Sequence, residues 1–426
     1  MPDSPTTPVN IVYLKELLSG YTAEVVGSSV TNPIQHPHVP LQQTDNLSSL
    51  SESHFPLPDS PTTPVNIVYL KELLSGYTAE VVDFLVSGFT NGFRIGYFGP
   101  HTVGREKNNL SANANESSVS SAIFKELSRG HTVGPFSFPP FQSFHCSPLG
   151  AVPKKDGTIR IILDLSSPQG TSVNEGIPAE LFSVKYSSFD DAVSIVRDIG
   201  IGCFMTKIDI KHAFRLCPFH RCDWPFLGYK WLGKYFFDIR LPFGSRSSPF
   251  IFNTFADALN WILVHKFSLT CIIHYLDDFF ICASTFSECQ QKVSTVLNVF
   301  RSLGVPIALD QLEGPSQRLV FLGIKIDSLN SCIHLPEDKL TSLSASVVTW
   351  VHRKKCIKSE LLSLVGLSFA CKVIKLGRIF LRRLIDLSTT VSKLHHHIDL
   401  KTRQYLQKLG SQLTEELDDM SDVNRN

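Results

Sequence analysis

At 426 residues, with 43% hydrophobic and 19% charged residues, the chain has room for two or three compact units and a sizeable core. It holds no run of about 18 uncharged apolar residues, and the start Met1-Pro2-Asp3-Ser4-Pro5 lacks the basic flank and apolar stretch of a secretory signal. The reading is an intracellular protein of cytoplasm or nucleus with no membrane span. Its ten cysteines are scattered without a CxxC pair, which fits a reducing compartment, and Cys217…His220…Cys222 has no second ligand pair at zinc-finger spacing.

The net charge of +1 averages over uneven segments. From Ser331 to Gly410 there are 14 Lys or Arg against 5 Asp or Glu, a local charge of +9, and from Ser411 onward the balance is 1 against 5. A basic region of this kind is an electrostatic footprint for phosphate backbones.

In chain order, the first feature is an identical repeat: the 25 residues Pro2 to Val26 recur as Pro58 to Val82. Each copy carries an amphipathic stretch ended by Ser-Gly; in the second its apolar residues are Val65, Val68, Tyr69 and Leu73. Residues 27–57 between them are rich in Ser, Pro, Gln, Asn and His and read as disordered. From Asp83 the text turns globular and leads into Gly88-Phe-Thr-Asn-Gly-Phe-Arg-Ile-Gly96. A polar interlude at 106–120, a short helix from Ser121 to Gly130 and a Pro/Phe-rich extended connector from Gly134 to Pro148 follow.

Leu149 to Pro153 and Thr158 to Leu165 are strand-like runs separated by Lys154-Lys155-Asp156-Gly157, and Asp-Gly signals a hairpin tip. Phe204 to Ile210 reads as a buried strand carrying Asp209 near its end, running into a possible helix start at Lys211-His-Ala-Phe214. Tyr229 to Leu241 alternates about Leu232-Gly233-Lys234, a second hairpin. Leu241-Pro-Phe-Gly-Ser-Arg-Ser-Ser-Pro249 is a Gly/Ser-rich turn before a helix from about Pro249 to His265, with Ile251, Phe255, Leu259 and Ile262 on one face.

Cys271 to Cys282 then places Asp277 and Asp278 in an apolar and aromatic frame, which predicts two buried strands meeting at a tight turn. A helix from about Ser287 to Leu303, a strand over Val320 to Asp327, and a basic helical segment from Pro336 to about Leu409 complete the order. His395-His396-His397 reads as a solvated connector. Mixed strands and helices followed by helices predict an α+β fold with an appended helical domain.

Adjacent carboxylates in so apolar a frame are costly to desolvate without a counter-charge, and oxygen ligands suit Mg²⁺. If the strands of Asp209 and Asp277-Asp278 share a sheet, the three groups can converge on two cations about 4 Å apart, the arrangement of in-line phosphoryl displacement. Phe243-Gly244 would let the backbone approach a nucleotide, Phe214 would lie under its sugar as a shape filter, and Lys154, Lys155 and Arg160 would hold its triphosphate.

Motif by motif, the chain resembles reverse transcriptases of retroelements, and among them those of DIRS-type, tyrosine-recombinase retrotransposons. Lys154 to Leu165 is similar to the fingers hairpin; Ile208-Asp209-Ile210-Lys-His-Ala213-Phe214 to the first catalytic motif, with Phe214 as the gate against a 2′-hydroxyl. Leu241 to Asn253 resembles the motif that supports nucleotide and template, Tyr275-Leu-Asp-Asp278 the YxDD box, Phe321-Leu322-Gly323 the primer grip, and Gly377 to Arg383 the thumb-side helices. The Gly88 to Gly96 stretch matches one that this group places before the polymerase.

The resemblance implies a right-hand fold of fingers, antiparallel-sheet palm and helical thumb. It implies an RNA-directed DNA polymerase that adds dNTPs to a primer on an RNA or DNA template, using two Mg²⁺ ions with Mn²⁺ as a substitute. Asp209 and Asp277 would bind both ions, assisted by the Ile210 carbonyl, with Asp278 secondary; Tyr275 and residues 321–323 would meet primer and template. The expected division is a duplicated low-complexity segment over 1–57, an extension over 58–133, fingers and palm over 134–335, a helical thumb over 336–410 and an acidic tail over 411–426.

Two departures stand against this reading. Gln311 occupies the position where a lysine is usual before the primer grip, and glutamine cannot serve as a general acid. The 402–426 remainder is too short for an RNase H, so a fragment of a mobile element is expected. The alternative function is therefore a nucleic-acid-binding remnant without turnover.

Overall fold

The computed structural model describes residues 62–99, 107–154, 157–368, 377–390, 396–398 and 400–423. Its elements run α1 (Ile67–Leu73), α2 (Ala79–Asn91), α3 (Leu110–Asn113), α4 (Glu116–Ser128), β1 (Thr132–Phe136), β2 (Leu149–Pro153), β3 (Ile159–Leu163) and α5 (Phe189–Ile199). There follow β4 (Phe204–Asp209), β5 (Gly228–Trp231), β6 (Lys234–Asp238), α6 (Ser248–Phe267), β7 (Ile272–Tyr275), β8 (Asp278–Ala283) and α7 (Phe286–Ser302). The last part contains β9 (Glu313–Ser316), β10 (Arg318–Phe321), β11 (Ile324–Asp327), β12 (Cys332–His334), α8 (Glu337–Val351), β13 (Lys355–Cys356), α9 (Lys358–Ser368), α10 (Gly377–Thr390), β14 (His396–His397) and α11 (Leu400–Val423). No described helix is long and apolar enough to cross a membrane.

The chain divides into two compact units. The first unit comprises Met1–Ser187, Ile208–Phe279 and Ser294–Gln311. Its centre is α6. The expected apolar face of Ile251, Phe255, Leu259 and Ile262 is buried, but so are Phe250, Phe252, Ala256, Ala258 and Leu263. The helix is therefore a core element covered nearly all round rather than one lying on a surface.

Part of that cover comes from the extension. The rings of Phe89 and Phe255 lie 4.8 Å apart, those of Phe84 and Phe93 5.3 Å apart. Gly92 follows α2 at φ +90°, where an added Cβ would lie 2.4 Å from the Phe219 carbonyl carbon, so only glycine fits. Arg94 then donates to the buried Asp223 carboxylate at 3.0 Å.

The polar interlude is corrected by the structure: it holds α3 and the start of α4. Val119 and Ile123 are the buried residues of α4, so the apolar period is too sparse to stand out among serines. The hairpin β2–β3 pairs Leu149 with Leu163 through to Pro153 with Ile159, and its Lys155-Asp156 tip lies outside the described residues. The possible helix at 211–214 is a short 3₁₀ turn, Ala213–Leu216. A second sheet, of order β1-β6-β5, has the expected turn at Leu232-Gly233 between β5 and β6.

The second unit comprises Ser188–Lys207, Phe280–Val293 and Leu312–Asn426. It contains the meander β10-β11-β12 and a helical core in which Leu340, Leu343, Val347, Leu361, Leu364, Leu384, Leu406 and Leu413 are buried. His396 and His397, expected in a solvated connector, pair instead with Cys356 and Lys355. The 411–423 stretch, expected as a tail, continues helix α11.

Candidate active site

Strand β4 delivers Asp209 beside the β7–β8 hairpin. The Ile210 N–H donates to the Asp277 carbonyl at 3.1 Å, and the Ala308 N–H donates to the Asp209 carbonyl at 2.9 Å. The chain is thus pinned on both sides of the first carboxylate. Leu276 makes the tight turn with φ +53°, a conformation that costs a non-glycine residue roughly 1–2 kcal/mol. Asp277 lies in the turn and Asp278 opens β8.

The side chains of Asp209 and Asp277 lie within hydrogen-bonding reach of one another. Burial pushes the Asp277 carboxyl above its ordinary value, opposed by that contact and by the positive charge of Arg160. Two carboxyls in contact, one short of water, make a place deficient in positive charge. Their all-oxygen chemistry fits a hard divalent cation. Among the described residues no three His, Cys, Asp or Glu side chains are gathered to hold a metal.

Arg160 of β3 stands over the Phe243 ring at 4.9 Å, and Phe243 packs against Phe214 at 5.3 Å between centroids. Arg160 is exposed, whereas Phe214 and Phe243 are half-buried, so a cation and an aromatic wall line the approach to Asp277. Gly244 is required there: φ is +121°, and an added Cβ would lie 2.0 Å from the Leu163 carbonyl oxygen. Gly244→Ala is expected to displace this turn from β3 at a cost of about 1–3 kcal/mol. Thermal unfolding, whose midpoint should fall, checks it.

Other expected residues fall elsewhere. Lys154 is exposed at the base of the hairpin and Lys155 lies outside the described residues. Ala213 is buried at the start of its 3₁₀ turn. Tyr275 packs on Tyr186 with ring centroids 5.0 Å apart. Phe321, Leu322 and Gly323 belong to the second unit, at the turn between β10 and β11. Gln311 is exposed and ends a short 3₁₀ turn; its N–H donates to Ala308, the residue bonded to Asp209.

Several residues with roles around the site did not stand out in the sequence. The Asn174 side chain donates to the Gly244 carbonyl and accepts from the Arg246 N–H, both at 2.8 Å, and so fixes the glycine turn. His274 has Nε2 2.9 Å from Asp257 Oδ1 and Nδ1 3.3 Å from the Leu276 carbonyl. Asn253 donates to the other Asp257 oxygen at 2.9 Å. The available signal was the pair Asn253 and Asp257, polar residues one turn apart on an apolar helix.

Residues 152–326 match the family described as Reverse transcriptase (RNA-dependent DNA polymerase). The chain is 25% identical over 180 residues to the Pro-Pol polyprotein of Simian foamy virus type 1, covering 42% of this chain and 14% of that protein. It is 23% identical over 185 residues to the Transposon Tf2-3 polyprotein of Schizosaccharomyces pombe, covering 43% and 13%. The chain thus matches only a small part of the length of these polyproteins.

Among solved structures, it is similar to the foamy viral protease-reverse transcriptase dRH in complex with double-stranded DNA, at TM-score 0.57 and 18% identity over 89% of this chain and 62% of that one. The foamy viral protease-reverse transcriptase in complex with an RNA/DNA hybrid is similar at TM-score 0.54 and 18% identity, over 82% and 46%. The chain therefore carries a reverse transcriptase domain, matched over residues 152–326, within a right-hand polymerase fold.

Proposed function

We propose that the chain is an RNA-directed DNA polymerase of a retrotransposon, of the DIRS type, extending a primer 3′-hydroxyl with dNTPs. The observation that carries this is the contact pair Asp209 and Asp277, set beside Arg160 and the Phe214–Phe243 wall. The Gly88 to Gly96 stretch, packed onto α6 through Phe89, supports the subtype.

In this reading Asp209 and Asp277 hold two Mg²⁺ ions, with the Ile210 carbonyl and Asp278 assisting. When bound, the ions lower the pKa of the attacking hydroxyl and neutralise the departing pyrophosphate. Arg160, with Lys154 and Lys155, binds the triphosphate. Phe214 excludes a 2′-hydroxyl, and the turn held open at Gly244 admits the base and sugar close to backbone. Phe321, Leu322 and Gly323 meet the primer, and Tyr275 the template–primer end.

Purified protein is expected to add dTMP to an oligo(dT) primer on poly(rA) with Mg²⁺ or Mn²⁺, and to stop when the metal is chelated. Absence of extension under both metals would overturn the assignment. Gln311 favours a second reading, a remnant that binds template–primer without turnover, since its exposed side chain, on a turn whose backbone is linked through Ala308 to Asp209, cannot protonate pyrophosphate. That reading predicts salt-dependent binding and no incorporation.

A further inference from the structure

His274 is buried, and both of its ring nitrogens face groups that only accept hydrogen bonds: a carboxylate oxygen of Asp257 and the carbonyl of Leu276. The second Asp257 oxygen is taken by Asn253. The His274 ring also stacks on Phe279, with centroids 5.3 Å apart and planes 25° apart. Tyr77 faces Asp257 as well: burial first, and the Asp257 charge second, push its hydroxyl up to about 12. A line of polar groups thus runs from the side of α6 to one carbonyl of the hairpin.

That carbonyl belongs to a non-glycine residue in the left-handed region. Leu276 sits at φ +53° immediately before Asp277, whose own carbonyl receives the Ile210 N–H. A turn held in a sparsely populated conformation persists only where its surroundings over-determine it. The imidazole is the observed side-chain bond to the Leu276 carbonyl, and its ring is fixed on one side by Asp257 and on its face by Phe279.

The geometry points to Asn253, Asp257 and His274 as a positioning relay that holds the Leu276 turn and thereby sets Asp277 against Asp209. The assignment rests on reading Asp277 as a reactive carboxylate, but its structural half can be tested without catalysis. Asp257→Ala removes the acceptor that orients His274. Asp257→Asn keeps the relay with a neutral ring, because the new amide donates to Nε2, leaves Nδ1–H for Leu276, and still accepts from Asn253.

Amide hydrogen exchange of the metal-free full chain, read at Ile210 and across 275–279, is expected to quicken about tenfold in Asp257→Ala and to stay near wild type in Asp257→Asn. In the primer-extension assay, kcat is expected to fall at least about tenfold in Asp257→Ala at unchanged KM for dTTP, and Asp257→Asn to recover it to within about threefold. His274→Leu repeats the test should Asp257→Ala not fold.

Wild-type exchange in the folded Ala or Leu variant overturns the relay, whatever the activity. An equal loss in Asp257→Asn and Asp257→Ala also overturns it. A wild-type chain that incorporates nothing counts against the polymerase reading alone, and the exchange measurement still decides the relay.

Discussion

Asp277→Asn is expected to lower nucleotide incorporation by at least about a thousandfold, a scale set by the loss of electrostatic stabilisation in a water-poor site. The same substitution is expected to leave the thermal midpoint of the metal-free protein unchanged or raised. Burial holds the Asp277 carboxyl above its ordinary value, so its folded-state pKa exceeds the unfolded one. Its contribution is then fully present below the unfolded pKa and is lost as pH rises through the folded value. Above its folded value the ionised carboxyl opposes folding, and an amide of the same shape relieves that opposition. Asp209→Asn should behave alike in the rate assay. Single-turnover incorporation together with thermal unfolding separates a reactive group from a structural one: unchanged incorporation would remove Asp277 from the chemistry, and a fall in both quantities would assign it to the fold.

How much of this was legible follows from how far apart in sequence the deciding residues lie. The hairpins could be read because their information is local: Asp156-Gly157 and Leu232-Gly233 announce turns, and the runs beside them alternate. The pairing of Asp209 with Asp277 was reached from order and spacing of motifs, since no local property brings them together. What stayed hidden depends on tertiary partners. Asn174 is an unremarkable polar residue until Gly244 and Arg246 arrive from elsewhere in the chain. Asp257 and His274 lie in different elements, and their bond exists only because β7 packs on α6. The start of the helix at Glu116–Ser128, before the expected Ser121, escaped because serines surround the buried Val119. His396 and His397 read as solvated because a two-residue strand has no periodicity.

Arg215→Met is expected to cost about 3–5 kcal/mol at neutral pH, the range for removing one partner from a buried ionic cluster. Arg215 follows Phe214 and reaches Asp238 at 2.8 Å and Glu126 at 3.0 Å; all three side chains are at least four-fifths buried. Thr132 also bonds Asp238, and His131 lies 3.1 Å from Glu126. The two carboxyls respond in opposite directions. Burial raises Asp238, and Arg215 only partly offsets it. For Glu126 burial is again the largest influence and raises it, but the His131 bond and the charges of Arg215, His131 and Arg129 together hold it down to about 2. Glu126 therefore contributes stability that is present above its ordinary value and is lost as pH falls toward about 2. Without Arg215 the buried Asp238 carboxyl has no cationic partner and Glu126 keeps only His131 and Arg129, so the deficit of Arg215→Met should shrink as pH falls and the carboxyls take up protons. Urea unfolding, followed by Trp224 and Trp231 of the first unit, checks this at about pH 7 and about pH 5. Adding Asp238→Asn to Arg215→Met should recover part of the loss, because an amide is far less costly to bury than an unpaired carboxylate. A cost that is small and independent of pH would mean that the cluster is open to water and that Phe214 is held in place by Phe243 and Phe252 alone.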